Sequence, residues 1–239
     1  MKILLISSLL FLSTAQAKVL FILTNHSQMG DTGKRTGFYL SELTHPYYIL
    51  KDKGIEIEVA SPLGGPSPID PTSLDMKDKD NKRFFNDAEL MKSVLTTKKL
   101  GDLNPKNYKA VVFSGGHGTV WDFTEDETIK KFIRDVYENK GVVSAICHGP
   151  AALVDVKLSN GKYLVDGKKV AVFSDEEERI VKLEKIVPYL LETKLKKQGA
   201  ISVAGKPWSS SAVADGRLIT GQNPQSAHEV GKLILKQIK

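Results

Sequence analysis

Apolar residues recur along this chain with two alternating periods. Short apolar runs that are typical of strands in a covered sheet occur at 18–24, 55–61 and 141–147. A further run opens segment 108–118, before its glycine-rich loop. Between them, segments 36–54 and 127–141 place apolar residues at helical spacing. Strands and helices therefore alternate, which predicts an α/β fold. We expect a doubly wound, mostly parallel, flavodoxin-like sheet with helices on both faces.

Turn dipeptides punctuate the second half of the chain. Asn-Gly at 160–161 and Asp-Gly at 166–167 flank an expected strand pair, and Asp-Gly at 215–216 repeats the pattern. The fold prediction therefore includes a β-hairpin insertion. Segment 148–156 is expected to open a helix, and 226–238 to form the last one. Because ligands of doubly wound sheets bind at the carboxyl ends of strands, residues that follow strands are the candidates for chemistry.

The first seventeen residues have the layout of a secretory signal. Lys2 precedes an apolar run that is too short to cross a bilayer as a helix, and small residues end the segment at Ala17. Cleavage after Ala17 would leave a single domain, residues 18–239, and a periplasmic or secreted protein with no membrane attachment. The alternative is that residues 2–7 form a native edge strand of a cytoplasmic protein.

Composition and spacing exclude several function classes. The formal net charge is +6, but no aromatic residues interleave with a basic patch, so nucleic acid is not an expected partner. Residues 30–36 lack the spacing of a phosphate-binding loop. The five histidines include no i, i+4 pair and there is no second cysteine, so no metal is predicted. The glycines at 115–118 lack the spacing of a dinucleotide site, so no such cofactor is predicted. A loop metal site that uses His26, His45 or His117 is left open.

The single cysteine, Cys147, follows a predicted strand and precedes a predicted helix. A strand-to-helix reversal is sharp and pushes the residue at its apex away from the sheet, as in a nucleophile elbow. Small residues and Pro150 follow, and a helix dipole there would favour the thiolate. The adjacent His148 is a candidate proton acceptor. The alternative is an inert, buried thiol.

Three further segments offer groups that could serve this thiol. The glycine-rich loop 115–118 follows a strand, and its backbone N–H groups can approach a substrate closely. The acidic run from Asp175 through Glu176 and Glu177 to Glu178 could orient His148, but its spacing does not say which carboxylate does so. An acidic helix N-terminus accounts for most of that run. Glu42, considered alone, would be an exposed helix carboxylate.

Four segments of this chain resemble the ThiJ/PfpI superfamily, whose fold is like that of class I glutamine amidotransferases. They are AICHGPAAL, SGGHGTVWDF, VADGRLITGQNPQSA and residues 36–74. The similarity is to its branch of heat-shock chaperones and glutathione-independent glyoxalases. By position, the resemblance implies four catalytic residues: Cys147 as nucleophile, His148 beside it, Glu178 as the acid that serves His148, and Glu42 bonded to the thiol. It also implies substrate-binding groups: the N–H groups of Gly116 and His148, and the side chains of His117, Trp121 and Phe123.

The same resemblance implies an enzyme that converts methylglyoxal to lactate without glutathione or any cofactor, through a cysteine nucleophile. The expected partner is a small aldehyde or ketoaldehyde, and the expected assembly is a homodimer. One alternative is a stress-related holdase chaperone or a protein deglycase with a redox-sensitive cysteine. Another alternative is a cysteine peptidase or amidase, but a cramped elbow loop suits a polypeptide substrate poorly.

Overall fold

Strands of two sheets organise the chain. The structure, a computed structural model, describes residues 18–239, and the predicted signal at 1–17 lies outside the described residues. The described strands are β1 (Lys18–Ile22), β2 (Glu56–Ser61), β3 (Lys98–Lys99), β4 (Ala110–Phe113), β5 (Val142–Ile146), β6 (Lys169–Val170), β7 (Ile201–Ser202), β8 (Ala212–Asp215) and β9 (Leu218–Gly221). Seven of them form the central sheet in the order β3-β2-β1-β4-β5-β9-β8, and β6 and β7 form the other sheet.

The central sheet is parallel except at one edge, where β8 runs antiparallel to β9. β1 pairs with β2 on one side and with β4 on the other. The direction in which strands are added therefore reverses between β2 and β4, and such a reversal opens a crevice at the carboxyl ends of the strands. The prediction of a doubly wound, mostly parallel sheet is confirmed.

Helices cover both faces of this sheet. They are α1 (Leu40–Lys51), α2 (Lys79–Phe84), α3 (Ala88–Leu95), α4 (Thr119–Asp122), α5 (Glu127–Glu138), α6 (Asp175–Ile180), α7 (Leu191–Lys196) and α8 (Ala227–Ile238). Because side chains alternate along a strand, Val19 and Phe21 of β1 pack with α1 and α8, whereas Leu20 and Ile22 pack with α5. Among residues 18–239, no helix is long and apolar enough to cross a membrane.

Only one of the three turn dipeptides closes a β-hairpin in the described residues. The one at 215–216 closes the β8–β9 hairpin, with Gly216 at a φ of 63°. The strand pair expected around 160–161 is reduced to a single bridge between Lys157 and Tyr163. After the turn at 166–167, β6 pairs in parallel with β7 instead. The physical reason is that Gly199 and the start of β7 take up the hydrogen bonds of residues 167–168.

The helix expected at 148–156 is also much shorter than predicted. The chain forms only a 3₁₀ turn over Gly149–Leu153, and Val154 is already extended. Asp155 then adopts a left-handed φ of 60°. The side chain of Gln198 accepts a hydrogen bond from the Asp155 N–H and donates one to its carboxylate, which holds the chain in this reversal.

Candidate active site

Cys147 lies at the apex of a strained turn at the carboxyl end of β5. Its φ is 58°, a left-handed conformation that costs a residue with a side chain about 1–2 kcal/mol. Hydrogen bonds on both sides maintain it: the Cys147 N–H donates to the Gly221 carbonyl at 2.8 Å, and its carbonyl accepts from the Phe173 N–H at 2.9 Å. The surrounding main chain therefore holds the thiol in the geometry of a nucleophile elbow.

His148 connects the thiol to a carboxylate on α6. Its Nδ1 lies 3.3 Å from Cys147 Sγ, and its Nε2 lies 2.8 Å from Glu178 Oε2. All three side chains are buried. Among the other acids of the run, Asp175 bonds Thr193 and Glu176 is exposed. The structure thus brings to His148 the acid that the resemblance implied, Glu178.

A second histidine shares this carboxylate. His117 Nε2 lies 2.9 Å from Glu178 Oε1, and the rings of His117 and His148 are 4.0 Å apart between centroids. Burial alone would raise the pKa of Glu178, but the two histidines hold it well below its usual value. Burial, and then the neighbouring His117, lower the pKa of His148. Glu178 is therefore ionised and His148 neutral near pH 7, which leaves His148 able to accept a proton.

Glu42 is fully buried on the first turn of α1, so the interpretation as an exposed carboxylate is wrong. Its Oε2 accepts a hydrogen bond from the Gly115 N–H at 2.8 Å, while Oε1 has no hydrogen-bond partner of normal geometry within residues 18–239. Burial raises the pKa of Glu42 well above its usual value, and the Cys147 thiol and the Gly115 N–H lower it by smaller amounts. Burial therefore favours the protonated form of this carboxyl group.

The thiol itself differs from the expectation of a dipole-stabilised thiolate. Burial, and then the charge of Glu42, raise the pKa of Cys147 well above its usual value. The His148 N–H lowers that pKa by a smaller amount, and the short 3₁₀ turn replaces the helix whose dipole was expected. Because both pKa values are raised, Cys147 and Glu42 hold at least one proton between them at neutral pH.

The glycine-rich loop packs against this turn. Gly116 has a φ of 103°, and a Cβ added to it would lie 2.3 Å from the Gly37 carbonyl oxygen, so only glycine fits. The Thr119 hydroxyl lies 2.9 Å from the carbonyl oxygens of both Gly116 and His148 and joins the two loops. In the described part of the chain the Gly116 N–H has no hydrogen-bond acceptor, so it can serve an oxyanion.

These groups open onto a cavity of about 190 Å³. Its wall includes Gly116, His117, Cys147, His148, Tyr39, Phe173 and Trp208. Two aromatic residues implied by the resemblance, Trp121 of α4 and Phe123 directly after α4, do not line it. Trp121 stacks on His26, with ring centroids 5.1 Å apart, and Phe123 is fully buried in the core. Because α4 is a single turn that packs Phe123 inward, the Trp121 ring faces away, and Phe173 and Trp208 form the aromatic wall.

Sequence reasoning named Glu177 only as a possible partner of His148 and missed its role, which is to hold the segment that carries Trp208. This fully buried carboxylate closes a capping box with Ser174 at the start of α6. It also accepts hydrogen bonds from the Trp208 N–H at 2.9 Å and from the side-chain amides of Gln222 and Asn223. The spacing Ser-x-x-Glu could have signalled the capping box. No sequence signal indicates the other three partners, which come from distant segments.

Comparison with known proteins identifies the family of this chain. A model of the DJ-1/PfpI family matches residues 34–237. The chain belongs to the DJ-1/PfpI family. Among members of this family, glyoxalase 3 of Candida albicans is 36% identical over 220 residues, covering 88% of this chain and 93% of the relative. The glutathione-independent glyoxalase HSP31 of Saccharomyces cerevisiae is 32% identical over 238 residues, covering 94% and 99%. The structure of Rapid Encystment Protein 24 KDa of Francisella tularensis superposes with a TM-score of 0.91 at 42% identity, covering 94% and 100%.

Proposed function

We propose that this DJ-1/PfpI protein is a glutathione-independent glyoxalase that converts methylglyoxal to lactate with Cys147 as nucleophile. The observation that carries the proposal is the position of the Cys147 thiol and His148 on the wall of one small cavity, with Glu178 bonded to His148 and the buried carboxyl of Glu42 beside the thiol. The similarity to two proteins named as glyoxalases supports the choice of substrate.

The first step forms a covalent adduct. His148 accepts the thiol proton as Cys147 Sγ attacks the aldehyde carbon, and the carbonyl oxygen becomes the hydroxyl of a hemithioacetal. The neutral state of His148 suits this role, because a protonated imidazole could not act as base. The N–H of Gly116 is available to the oxygen while it carries negative charge.

The second step moves a proton between two carbons. His148 or Glu42 removes the hydrogen from the former aldehyde carbon, and its electron pair forms a double bond to the neighbouring carbon, whose carbonyl oxygen takes up a proton to complete an enediol. Protonation of that neighbouring carbon, with loss of the proton from the hydroxyl of the first carbon, gives the lactyl thioester of Cys147. One carbon is oxidised and the other reduced within the same molecule, so no external oxidant or cofactor is required. Water then cleaves the thioester, which releases lactate and restores the thiol.

The size of the cavity argues against the peptidase alternative. About 190 Å³, with Phe173 and Trp208 on its wall, matches a three-carbon ketoaldehyde better than a polypeptide. A holdase chaperone would bind clients through surface apolar groups and would not require the thiol. The role of Cys147 therefore separates a glyoxalase or deglycase, which needs the thiol, from a chaperone, which does not.

The test is lactate formation from methylglyoxal without glutathione, by the wild type and by Cys147→Ala. We expect turnover in the wild type and none above background in the variant, with equal thermal stability. Glu176→Gln, at an exposed carboxylate on the same helix as Glu178, is the matched control. Absence of lactate in the wild type would overturn the proposal. Suppression of client aggregation that survives in Cys147→Ala would instead support a chaperone.

We further propose that residues 1–17 direct export and that the mature protein is a homodimer. The described part of the chain opens with β1 at Lys18, so cleavage after Ala17 keeps every described strand. The mass of the protein recovered from outside the cytoplasm tests the first proposal, and an uncleaved cytoplasmic chain would contradict it. Light scattering of the purified protein tests the second, and a monomeric mass would contradict it.

A further inference from the structure

A second cluster of ligand-type side chains lies where α1, α2 and α8 meet, away from the thiol. It consists of His45, Asp80 and His228. One ring nitrogen of each histidine and one carboxylate oxygen of Asp80 lie within 4.8 Å of one another. His228 Nε2 is 3.6 Å from Asp80 Oδ2, and the two imidazole rings stack with centroids 4.1 Å apart.

We propose that His45, Asp80 and His228 bind a divalent transition-metal ion of the Zn²⁺ type. Two imidazole nitrogens and one carboxylate oxygen, with water as fourth ligand, are a ligand set that Zn²⁺ takes in tetrahedral geometry. Bonds of about 2.0–2.2 Å place neighbouring ligand atoms about 3.4 Å apart, close to the 3.6 Å between His228 and Asp80. The half-exposed side chain of His228 can rotate to complete the convergence. The two nitrogen ligands disfavour Ca²⁺ and Mg²⁺.

The surroundings of His45 support a ligand role. Its Nε2 lies 2.8 Å from Asp78 Oδ2. Asp78 Oδ1 accepts hydrogen bonds from the N–H groups of Asp80 and Asn81 at the start of α2, which fixes the carboxylate. The other ring nitrogen, Nδ1, is buried without a hydrogen-bond partner within the described residues. Histidines that bind metals usually hold a carboxylate on the second nitrogen, so Asp78 would orient the ring while Nδ1 binds the ion.

The local charge also favours a cation. A cavity of about 210 Å³ adjoins the cluster and is lined by His45, Asp75 and Asp78. The wall of this cavity carries these two carboxylates and, among the described residues, no lysine or arginine, although the whole chain carries a net charge of +6. The described residues contain one other such ligand cluster, formed by His117, His148 and Glu178 at the thiol. An experiment must therefore separate the two clusters.

The experiment uses the untagged chain, freed of metal with a chelator and titrated with Zn²⁺ by calorimetry and with Co²⁺ by absorption. We expect one equivalent to bind, and the Co²⁺ complex to show the visible bands of a four-coordinate site without a thiolate charge-transfer band. His228→Gln and Asp80→Asn should each weaken binding at least about tenfold. The matched control, His117→Gln in the other cluster, should leave the affinity unchanged.

Measurements of thermal stability show whether a variant that binds less metal is still folded. Zn²⁺ should raise the melting temperature of the wild type, because it binds the folded state, and should not do so for His228→Gln. His228 is half-exposed, so its replacement should leave the melting temperature of the metal-free protein unchanged. The proposal is overturned if the wild type binds no Zn²⁺ or if His228→Gln binds as tightly as the wild type. Loss of binding in His117→Gln, or a thiolate band with Co²⁺, would also overturn it.

Discussion

His117 and His148 hold the two oxygens of a single carboxylate. His117 Nε2 lies 2.9 Å from Glu178 Oε1, and His148 Nε2 lies 2.8 Å from Oε2. His117 belongs to the glycine-rich loop after β4, and His148 belongs to the turn after β5. One side chain of α6 therefore sets the orientation of two loops that face the same cavity.

Replacement of that carboxylate should impair catalysis more than folding. In Glu178→Gln one amide group donates instead of accepting, so one histidine loses its acceptor and the tautomer of His148 is no longer imposed. We expect the rate of lactate formation to fall by about 10²–10⁴-fold. Steady-state kinetics on the folded variant measure the loss, with Glu176→Gln as the control on the same helix. A rate within about twofold of the wild type would remove Glu178 from the site.

The pH profile should reflect the lowered pKa of His148. Burial and the nearby His117 keep the imidazole neutral below its ordinary pKa of 6.5. Because the neutral form is the base, kcat/KM should persist below pH 6.5 and decline only on further acidification. His117→Gln removes one cause of the lowered pKa, so its acidic midpoint should move upward. An acidic midpoint at or above 6.5 in the wild type would contradict this assignment.

Glu42→Gln should separate thiol reactivity from turnover. The charge of Glu42 raises the pKa of Cys147, so its removal should lower that pKa and accelerate alkylation by iodoacetamide at neutral pH. The amide cannot carry a proton between two carbons, so turnover should fall by about 10²-fold or more. A merely structural role would not produce these opposite changes. Slower alkylation in Glu42→Gln would show that the carboxyl group stabilises the thiolate instead.

Gly116→Ala should be far more destabilising than a similar change elsewhere. The added Cβ would lie 2.3 Å from the Gly37 carbonyl oxygen and 2.7 Å from the Tyr39 nitrogen, both backbone atoms. We expect a loss of more than about 3 kcal/mol in the free energy of unfolding. Gly65→Ala is the control, because Gly65 has a similar positive φ of 74° with nothing within 4 Å, and should lose about 1–2 kcal/mol. Equal losses in urea unfolding would contradict the close approach.

The local sequence patterns predicted which helices and strands form better than they predicted the lengths of these elements. Buried parallel strands and amphipathic helices leave a direct periodic signal, so β1, β4, β5, α5 and α8 follow from the sequence. The 3₁₀ turn at Gly149–Leu153 does not, because Gln198, a distant residue, ends it through Asp155. The pairing of β6 with β7 likewise depends on a segment far along the chain.

Within the candidate site, the sequence by itself determined Cys147 and His148 as candidates, because a strand-to-helix turn imposes its geometry locally. It could not choose Glu178 over Glu177 or reveal the burial of Glu42. Those outcomes depend on how α6 and α1 pack against the loops. The rotation of a helix about its axis is set by the surfaces that it covers. Tertiary packing alone therefore decided which carboxylates meet the thiol, and which of two tryptophans, Trp121 or Trp208, lines the cavity.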